Sequence, residues 1–244
     1  LVKHHIFWYN LGFPKPPIGN QVRHILIILS IFLFSFIYIS CSKSSDDGSK
    51  STDNTTTSHW TKQLGTTSSD YGYSVTTDSS GNIYVTGYTY GDLDGNTSSG
   101  GQDIFLVKYN SSGTKQWTKQ LGSSGWDWGN GVTTDSSGNI YVTGYTNGGL
   151  DGNTNSGYGD IFLVKYNSSG TKQWTKQLGT SSSDGGSGVT TDSSGNVYVT
   201  GYTLGGLDGN TNSGSYDIFL VKYNSSGTKQ WTKQLGTSKG DYGR

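Results

Sequence analysis

Residues 81–89, GNIYVTGYT, and residues 103–122, DIFLVKYNSSGTKQWTKQLG, decide the fold of this chain. Both stretches return twice, each time 57 residues further on, with a single kind of change, Ile83 and Ile140 to Val197. The end of the second stretch, WTKQLG, also occurs once before it, from Trp60, so the chain holds four copies. Self-similarity at a fixed period of this size is typical of solenoids, propellers and other repeat arrays.

The composition favours an all-β fold. The chain has 244 residues and contains no Glu, Ala or Met, which are three of the strongest helix formers. After residue 41, Ser, Thr, Gly, Asn, Tyr and Val dominate, and this mixture is expected of short strands joined by turns.

Each period contains the pattern of four short strands and two tight turns. In the first period the predicted strands are residues 60–65, 74–78, 83–89 and 103–110. The turns after the second and fourth strands each contain a Gly that can take the positive φ such turns require. Four antiparallel strands per period is the pattern of a propeller blade. We therefore predict a β-propeller built from 57-residue blades, with three blades in an incomplete ring.

The repeated Trp and Asp residues have a structural explanation. Four tryptophans are expected to fill the slot between neighbouring blades, with ligand contact as the alternative: Trp60, Trp117, Trp174 and Trp231. Asp78 and its copies are read as turn formers whose carboxylates accept local backbone N–H bonds.

The order GNIYVTGYT then DIFLVKYNSSGTKQW resembles the bacterial SBBP repeats, a family named for a β-propeller. The resemblance covers residues 60–244, as periods 60–116, 117–173 and 174–230 and a partial period 231–244. It implies an exported or surface-associated propeller, and it says more about architecture than about activity.

The N-terminal part predicts export and a lipid anchor. Residues 25–39 form an apolar run that is short for a membrane span of roughly 20 residues and suits a signal peptide. The tetrad at 38–41, Tyr-Ile-Ser-Cys, resembles a bacterial lipobox. We predict a leader and signal peptide at 1–40, lipidation of Cys41, and a polar tether over 41–59, which places the protein at a bacterial outer membrane or cell surface. An uncleaved anchor with an incidental Cys is the alternative.

Several kinds of chemistry are disfavoured. The repeats contain no His, Cys or Glu, so the usual catalytic triads and Cys-based zinc sites cannot be built from them. Beyond Cys41 there are 14 basic residues against 17 aspartates, with no basic stripe for nucleic acid. We expect no catalytic residue and no enzyme, with a glycoside hydrolase using two aspartates as the remote alternative.

The copies differ mainly in two windows, residues 66–74 and 90–102 and their equivalents. Because strands alternate in direction, both connections are predicted to emerge on one face of the disc. Exposed aromatic residues there indicate a surface that binds a protein or a glycan. The candidate residues are Tyr71, Tyr73, Tyr90, Trp126, Trp128, Tyr158, Tyr216 and Tyr242. Loop drift after duplication, in a structural or adhesive array without a specific ligand, is the alternative.

The repeats also contain candidate calcium sites, and we expect no other cofactor. The repeated LDGNT stretch spaces Asp and Asn as in a calcium loop, at Asp94, Asn96, Asp151, Asn153, Asn155, Asp208, Asn210 and Asn212. However, Ser156 stands at position six, where an EF-hand has Gly, and no Glu follows at position twelve. A simple turn is the favoured reading.

The number of blades raises a question of closure. Known rings use about four to eight blades, so three are too few to close. The first WTKQLG, from Trp60, precedes any complete blade and is expected to be an outermost strand without its sheet. We expect the chain to be an N-terminal piece of a larger propeller or to associate so that its open ends are buried.

Overall fold

The computed structural model describes residues 60–244. The predicted signal peptide, the lipidated Cys41 and the tether lie outside these residues. Within residues 60–244, no helix has the length and apolar character needed to cross a membrane.

Twelve strands in the described part form three four-stranded antiparallel sheets, each in sequential order. The strands of blade 1 are β1 (Asp70–Thr77), β2 (Ile83–Thr89), β3 (Asp103–Tyr109) and β4 (Lys115–Leu121). Blade 2 comprises β5 (Asp127–Thr134), β6 (Ile140–Thr146), β7 (Asp160–Tyr166) and β8 (Lys172–Leu178). Blade 3 comprises β9 (Asp184–Thr191), β10 (Val197–Thr203), β11 (Asp217–Tyr223) and β12 (Lys229–Leu235). The predicted all-β fold with four strands per blade is confirmed.

The sheets are offset from the sequence periods. Each WTKQLG copy after the first lies in the last strand of a sheet, so Trp117 belongs to β4 and opposes Lys108 of β3. Residues 60–65 are not a strand, although their sequence is the same. The reason is pairing. A strand needs a hydrogen-bonded neighbour, and in the described part of the chain no strand equivalent to β3 precedes residues 60–65.

The first strand of each blade is longer than predicted. β1 starts at Asp70 opposite Thr89, and residue 73 forms a bulge where the register with β2 shifts. The prediction that residues 66–74 form one long connection is therefore wrong for 70–74, which lie in the strand. Gly87 permits this close pairing, because a Cβ there would lie 1.8 Å from the Tyr71 carbonyl oxygen.

The core lies between blades, because both faces of each sheet are apolar. Leu106 of blade 1 is 1% exposed and packs with Val142 and Phe162 of blade 2. Leu163 of blade 2, also 1% exposed, packs in the same way with Val199 and other residues of blade 3. Complete burial of a leucine side chain stabilises a fold by about 1.5–3 kcal/mol. The repeated apolar positions thus build two equivalent junctions.

Two of the four repeated tryptophans pack at these junctions, as predicted, whereas Trp60 and Trp231 lie at the free ends of the blades and are 39% and 37% exposed. Trp117 and Trp174 lie against the first and second junction clusters. Each ring also covers a turn glycine of the next blade: a Cβ on Gly170 would lie 3.0 Å from the Trp117 ring. Glycine is required there for a second reason, since its φ is +77°.

The tight turns form one edge of every blade, which we call the turn face. The Asp78 carboxylate accepts hydrogen bonds from the backbone N–H groups of Ser80 and Asn82, both at 2.9 Å, as predicted. In the third copy, the hydrogen bond from the Asn196 side chain is the main cause that lowers the pKa of Asp192 to about 2. These carboxylates stay ionised and hold the turns.

Candidate binding site

The two variable connections emerge on one edge of the blades, as predicted, and we call this edge the loop face. β1 begins there opposite the end of β2, with Asp70 beside Thr89. β3 begins there opposite the end of β4, with Ile104 beside Leu121. The connections after β2 and after β4 therefore leave from the same side.

An aromatic cluster spans the loop face at the junction between blades 1 and 2. Tyr88 lies at its centre, with ring centroids 4.9 Å from Tyr71, 5.6 Å from Tyr73 and 5.8 Å from Trp128. Trp128 in turn lies 5.1 Å from Tyr145 of blade 2. These separations are those of interacting ring pairs, so the rings support one another. Together with Tyr90 they form the first ring cluster.

Gln102 connects two residues of the first ring cluster, Trp128 and Tyr90, by hydrogen bonds. Its side-chain carbonyl accepts a hydrogen bond from the Trp128 indole N–H, and its amide donates to the Tyr90 hydroxyl. The glutamine is 5% exposed, so these bonds satisfy a buried amide. Gly159 and Tyr216 occupy the same position in the other copies. Only the first junction can make this bridge.

The first ring cluster leaves much aromatic surface open to solvent. Tyr71 is 47% exposed, Tyr73 is 52% exposed and Tyr90 is 46% exposed. Tyr88, by contrast, is 9% exposed, and burial raises the pKa of its phenol. Its hydroxyl is therefore neutral at physiological pH. The cluster therefore has a buried centre and a solvent-exposed aromatic rim.

A second ring cluster forms at the end of blade 3. The Tyr216 and Tyr242 centroids are 4.6 Å apart, and both rings contact Tyr202, at 5.4 and 6.0 Å. The junction between blades 2 and 3 lacks such a cluster because Gly185 occupies the position of Trp128. A Cβ on Gly185 would lie 2.8 Å from the Tyr202 ring.

The eight predicted aromatic residues thus divide into three groups. Tyr71, Tyr73, Tyr90 and Trp128 join the first ring cluster, and Tyr216 and Tyr242 join the second. Trp126 and Tyr158 make no ring contact with either cluster in the described chain, and they are 54% and 82% exposed.

Sequence comparison of the copies missed four residues of these clusters. Tyr88, Tyr145 and Tyr202 are the same in every copy, so comparing copies did not single them out. Gln102 is unique to its copy, and that uniqueness was an available signal.

Buried aspartates lie beneath the loop face. Asp127 accepts the Ser123 backbone N–H at 2.6 Å, and burial raises the pKa of its carboxyl. Asp160 accepts hydrogen bonds from the Ser156 backbone at 2.9 Å and the Gln177 side chain at 2.8 Å, and burial raises its pKa as well. These contacts recur from blade to blade and support loops. They single out no pair with separate acid and base roles.

The residues of the predicted calcium loops make other contacts. Asp94 has a positive φ of 52°, and its carboxylate accepts bonds from Lys115 and Thr118. Asn96 donates its side-chain amide to the Leu93 carbonyl at 2.7 Å. The copies at Asp151 and Asp208 pair with Lys172 and Lys229 in the same way. Among residues 60–244, no group of three or more His, Cys, Asp or Glu is placed to hold a metal ion. Calcium binding stays a prediction.

Three stretches of the chain match a family described as Beta-propeller repeat (SBBP): residues 59–94, 116–151 and 173–208. The matches support the assignment of the repeats to that family. They begin at the WTKQLG copies and end in the LDG turns.

Two curated proteins are similar over most of the chain. An uncharacterized WD repeat-containing protein of Acanthamoeba polyphaga mimivirus is 28% identical over 228 aligned residues, 72% of this chain. The regulatory protein FlaEY of Caulobacter vibrioides is 28% identical over 186 residues, 68% of this chain. The chain spans 16% and 20% of the length of these two relatives.

Proposed function

We propose that this protein is a non-enzymatic binding module that holds a protein partner through the first ring cluster on the loop face. The observation that carries the proposal is the cluster itself. It gathers aromatic residues that differ between otherwise identical repeats, and it fixes them around the buried Tyr88. The blades supply the scaffold and the loop face supplies the recognition.

Physical chemistry favours this cluster as a contact surface. Tyr and Trp bring large contact areas with few rotatable bonds, and they dominate the energetics of protein interfaces. Tyr73 and Tyr90 are held by Tyr88 before any partner arrives, so little side-chain freedom is left to lose on binding. The similarity to a WD repeat-containing protein is consistent with an interaction role.

The proposal includes export and anchoring. The apolar run at 25–39 and the lipobox-like tetrad ending in Cys41 support a lipid-anchored protein at a bacterial surface. Labelling of the full chain with radioactive palmitate in a bacterial host tests this part. Label is expected in the wild type and absent from Cys41→Ser, and label that persists in this variant contradicts the anchor.

A peptide-display selection tests the binding surface. The full chain is panned against a random peptide library, and the selected peptides are measured against Tyr73→Ala, a residue 52% exposed whose loss leaves the core intact. We expect affinity to fall at least about tenfold, since loss of an aromatic hot spot costs more than 1.4 kcal/mol.

Two controls decide the outcome. Ser136→Ala changes an exposed residue on the turn face, and it should leave peptide affinity unchanged. Peptides that bind Tyr73→Ala as well as the wild type would contradict the assigned surface. A glycan array read with the same variants distinguishes the ligand class: Tyr73-dependent glycan binding without peptide binding would replace the protein partner with a sugar.

A further inference from the structure

The described part of the chain begins and ends with similar 14-residue sequences. Residues 60–73 read WTKQLGTTSSDYGY and residues 231–244 read WTKQLGTSKGDYGR. The two differ at four of 14 positions. We call them the first and the last terminal segment.

The first terminal segment starts in the place of a preceding blade's outer strand. A Cβ on Gly113 would lie 2.6 Å from the Trp60 ring, just as Gly170 lies under Trp117 at the next junction. Leu64 packs against the apolar face of blade 1, where Phe105 and its neighbours form a third cluster. Residues 60–65 thus imitate the outer strand of a blade that would lie in front of blade 1.

The last terminal segment ends in the place of a following blade's inner strand. The Asp241 N–H donates to the Tyr216 carbonyl at 2.7 Å. This bond repeats the one from Asp127 to Gln102, at 2.8 Å, which links blade 2 to blade 1. Residues 237–244 thus occupy the position that a fourth blade would take beside blade 3.

Apolar side chains remain uncovered at both ends. Val75 is 65% exposed, whereas its equivalent Val132 is 7% exposed. Leu220 is 40% exposed, whereas its equivalent Leu163 is 1% exposed. A groove of about 260 Å³ lies beside blade 1, lined by Tyr71 and apolar residues of β2 and β3. The two free surfaces are the two halves of a junction that the chain makes twice within itself.

We propose that two copies of this chain associate head to tail. The first terminal segment and blade 1 of each copy dock on blade 3 of the other, where they displace its last terminal segment. Because the two segments share their sequence, the exchange replaces each lost contact with a like one, and exchange of identical elements is a low-cost route to dimers. The gain is a complete third junction that covers Val75 and Leu220.

Lysine contacts across the junctions support a second copy of the chain as the partner. The Lys108 ammonium donates to the Ser168 carbonyl at 3.2 Å across the first junction, and Lys165 donates to Ser225 at 3.1 Å across the second. Lys222 is the third copy and, like the other two lysines, lies over a tyrosine ring, but it makes no such bond within residues 60–244. The Ser111 carbonyl of a second copy is the equivalent acceptor.

Sedimentation velocity of the full chain, carrying Cys41→Ser to exclude lipid and disulfide effects, tests the association. We expect a species of twice the 26.2 kDa chain mass that dissociates on dilution. Val75→Asp and Leu220→Asp should each give monomers with unchanged circular dichroism, since both positions are exposed in a single copy. Tyr158→Asp, at an 82% exposed site away from the ends, is the control and should remain dimeric.

An engineered disulfide tests the head-to-tail geometry. Across the internal junctions, the Val132 N–H donates to the Ser74 hydroxyl at 3.3 Å, and a Cβ on Gly131 would lie 3.3 Å from the Gly188 Cα. Gly188 of one copy should therefore face Ser74 of the other, within the reach of a disulfide. A mixture of the single variants Ser74→Cys and Gly188→Cys, each with Cys41→Ser, should give a covalent dimer on a non-reducing gel. Neither variant should do so alone.

Each outcome decides the proposal. A wild-type chain that is monomeric at all concentrations overturns it, as does a dimer that survives both Asp substitutions. A dimer that the mixed cysteine variants fail to link, while each stays folded, also overturns the head-to-tail arrangement. An open series of larger species overturns the closed pair.

Discussion

The two internal junctions of this propeller share a core and differ at the loop face. Leu106 and Leu163 occupy equivalent buried positions, and each is 1% exposed. At the loop face, however, the first junction places Trp128 between Tyr88 and Tyr145, whereas the second has Gly185 at the same position. The difference separates two layers of one junction, and in the proposed function only the upper layer contacts the partner. The apolar layer is repeated, and the layer above it is free to vary.

The largest expected effect tests whether the two cores are equivalent. Leu106→Ala and Leu163→Ala should each destabilise the protein by about 3 kcal/mol, because both remove buried methyl groups and leave a cavity. Leu220→Ala, the same residue at a free surface, should cost less than about 1 kcal/mol at low protein concentration. Urea unfolding followed by tryptophan fluorescence measures all three.

Protein concentration sharpens this test. The cost of Leu220→Ala should rise as the protein is concentrated, since the proposed pairing buries Leu220. Unequal costs for Leu106→Ala and Leu163→Ala, beyond about 1 kcal/mol, would show that the junction cores are not equivalent.

A smaller effect is expected from the layer that distinguishes the junctions. Trp128→Ala removes two ring contacts and the hydrogen bond to Gln102, and it should cost about 2 kcal/mol. Trp126→Ala is the matched control on the same face, and it should cost less than about 0.5 kcal/mol because Trp126 is 54% exposed. Thermal unfolding measures both variants. Equal costs would mean that the first ring cluster adds no stability of its own.

The smallest expected effect compares the loop face with the turn face through pH. Burial raises the pKa of Asp160 above its unfolded value, so its contribution to stability is present below the unfolded pKa of about 3.9 and is lost as pH rises through the folded pKa. Asp160→Asn should therefore gain stability relative to the wild type at neutral pH, and the gain should vanish in acid. Unfolding midpoints between pH 3 and pH 7 measure this difference.

Asp192 on the turn face should behave in the opposite way. Its pKa is lowered to about 2, so its contribution is present above the unfolded pKa and is lost as pH falls through about 2. Asp192→Asn should lose stability at neutral pH and approach the wild type as the pH falls towards about 2, which unfolding midpoints extended to pH 2 measure. The same sign of effect for both variants would contradict the assigned environments.

The repeats made much of the fold predictable from sequence. Three copies that are identical at most positions marked the strands and the tight turns, and the alternation of strand direction placed both variable windows on one face. The start of β1 at Asp70 was not predictable in this way, because it depends on pairing with Thr89 and on the bulge at residue 73. The differences between copies at residues 66–74 predicted a loop, although residues 70–74 lie in β1.

The candidate site was predictable in part. The variable aromatic residues stood out because they differ between copies, but the residues that hold them do not differ. Tyr88 and Tyr145 acquire their role only when Trp128 is placed between them by the next blade. Such contacts depend on how neighbouring blades pack against each other, and this packing cannot be predicted from the sequence of one period.

The four identical WTKQLG copies have a consequence for how the chain reaches this fold. Any copy carries the side chains needed to pair with any third strand, so the strand sequence alone does not determine which partner is correct. β4 follows β3 after a turn held by the hydrogen bond from Thr114 to the Asn110 side chain, whereas residues 60–65 reach β3 only across two intervening strands. A shorter loop costs less entropy to close, so nearest-neighbour pairing forms first. The turns of the turn face therefore set the order of assembly, and substitutions that lengthen or loosen them should promote exchange of strands between blades and between chains.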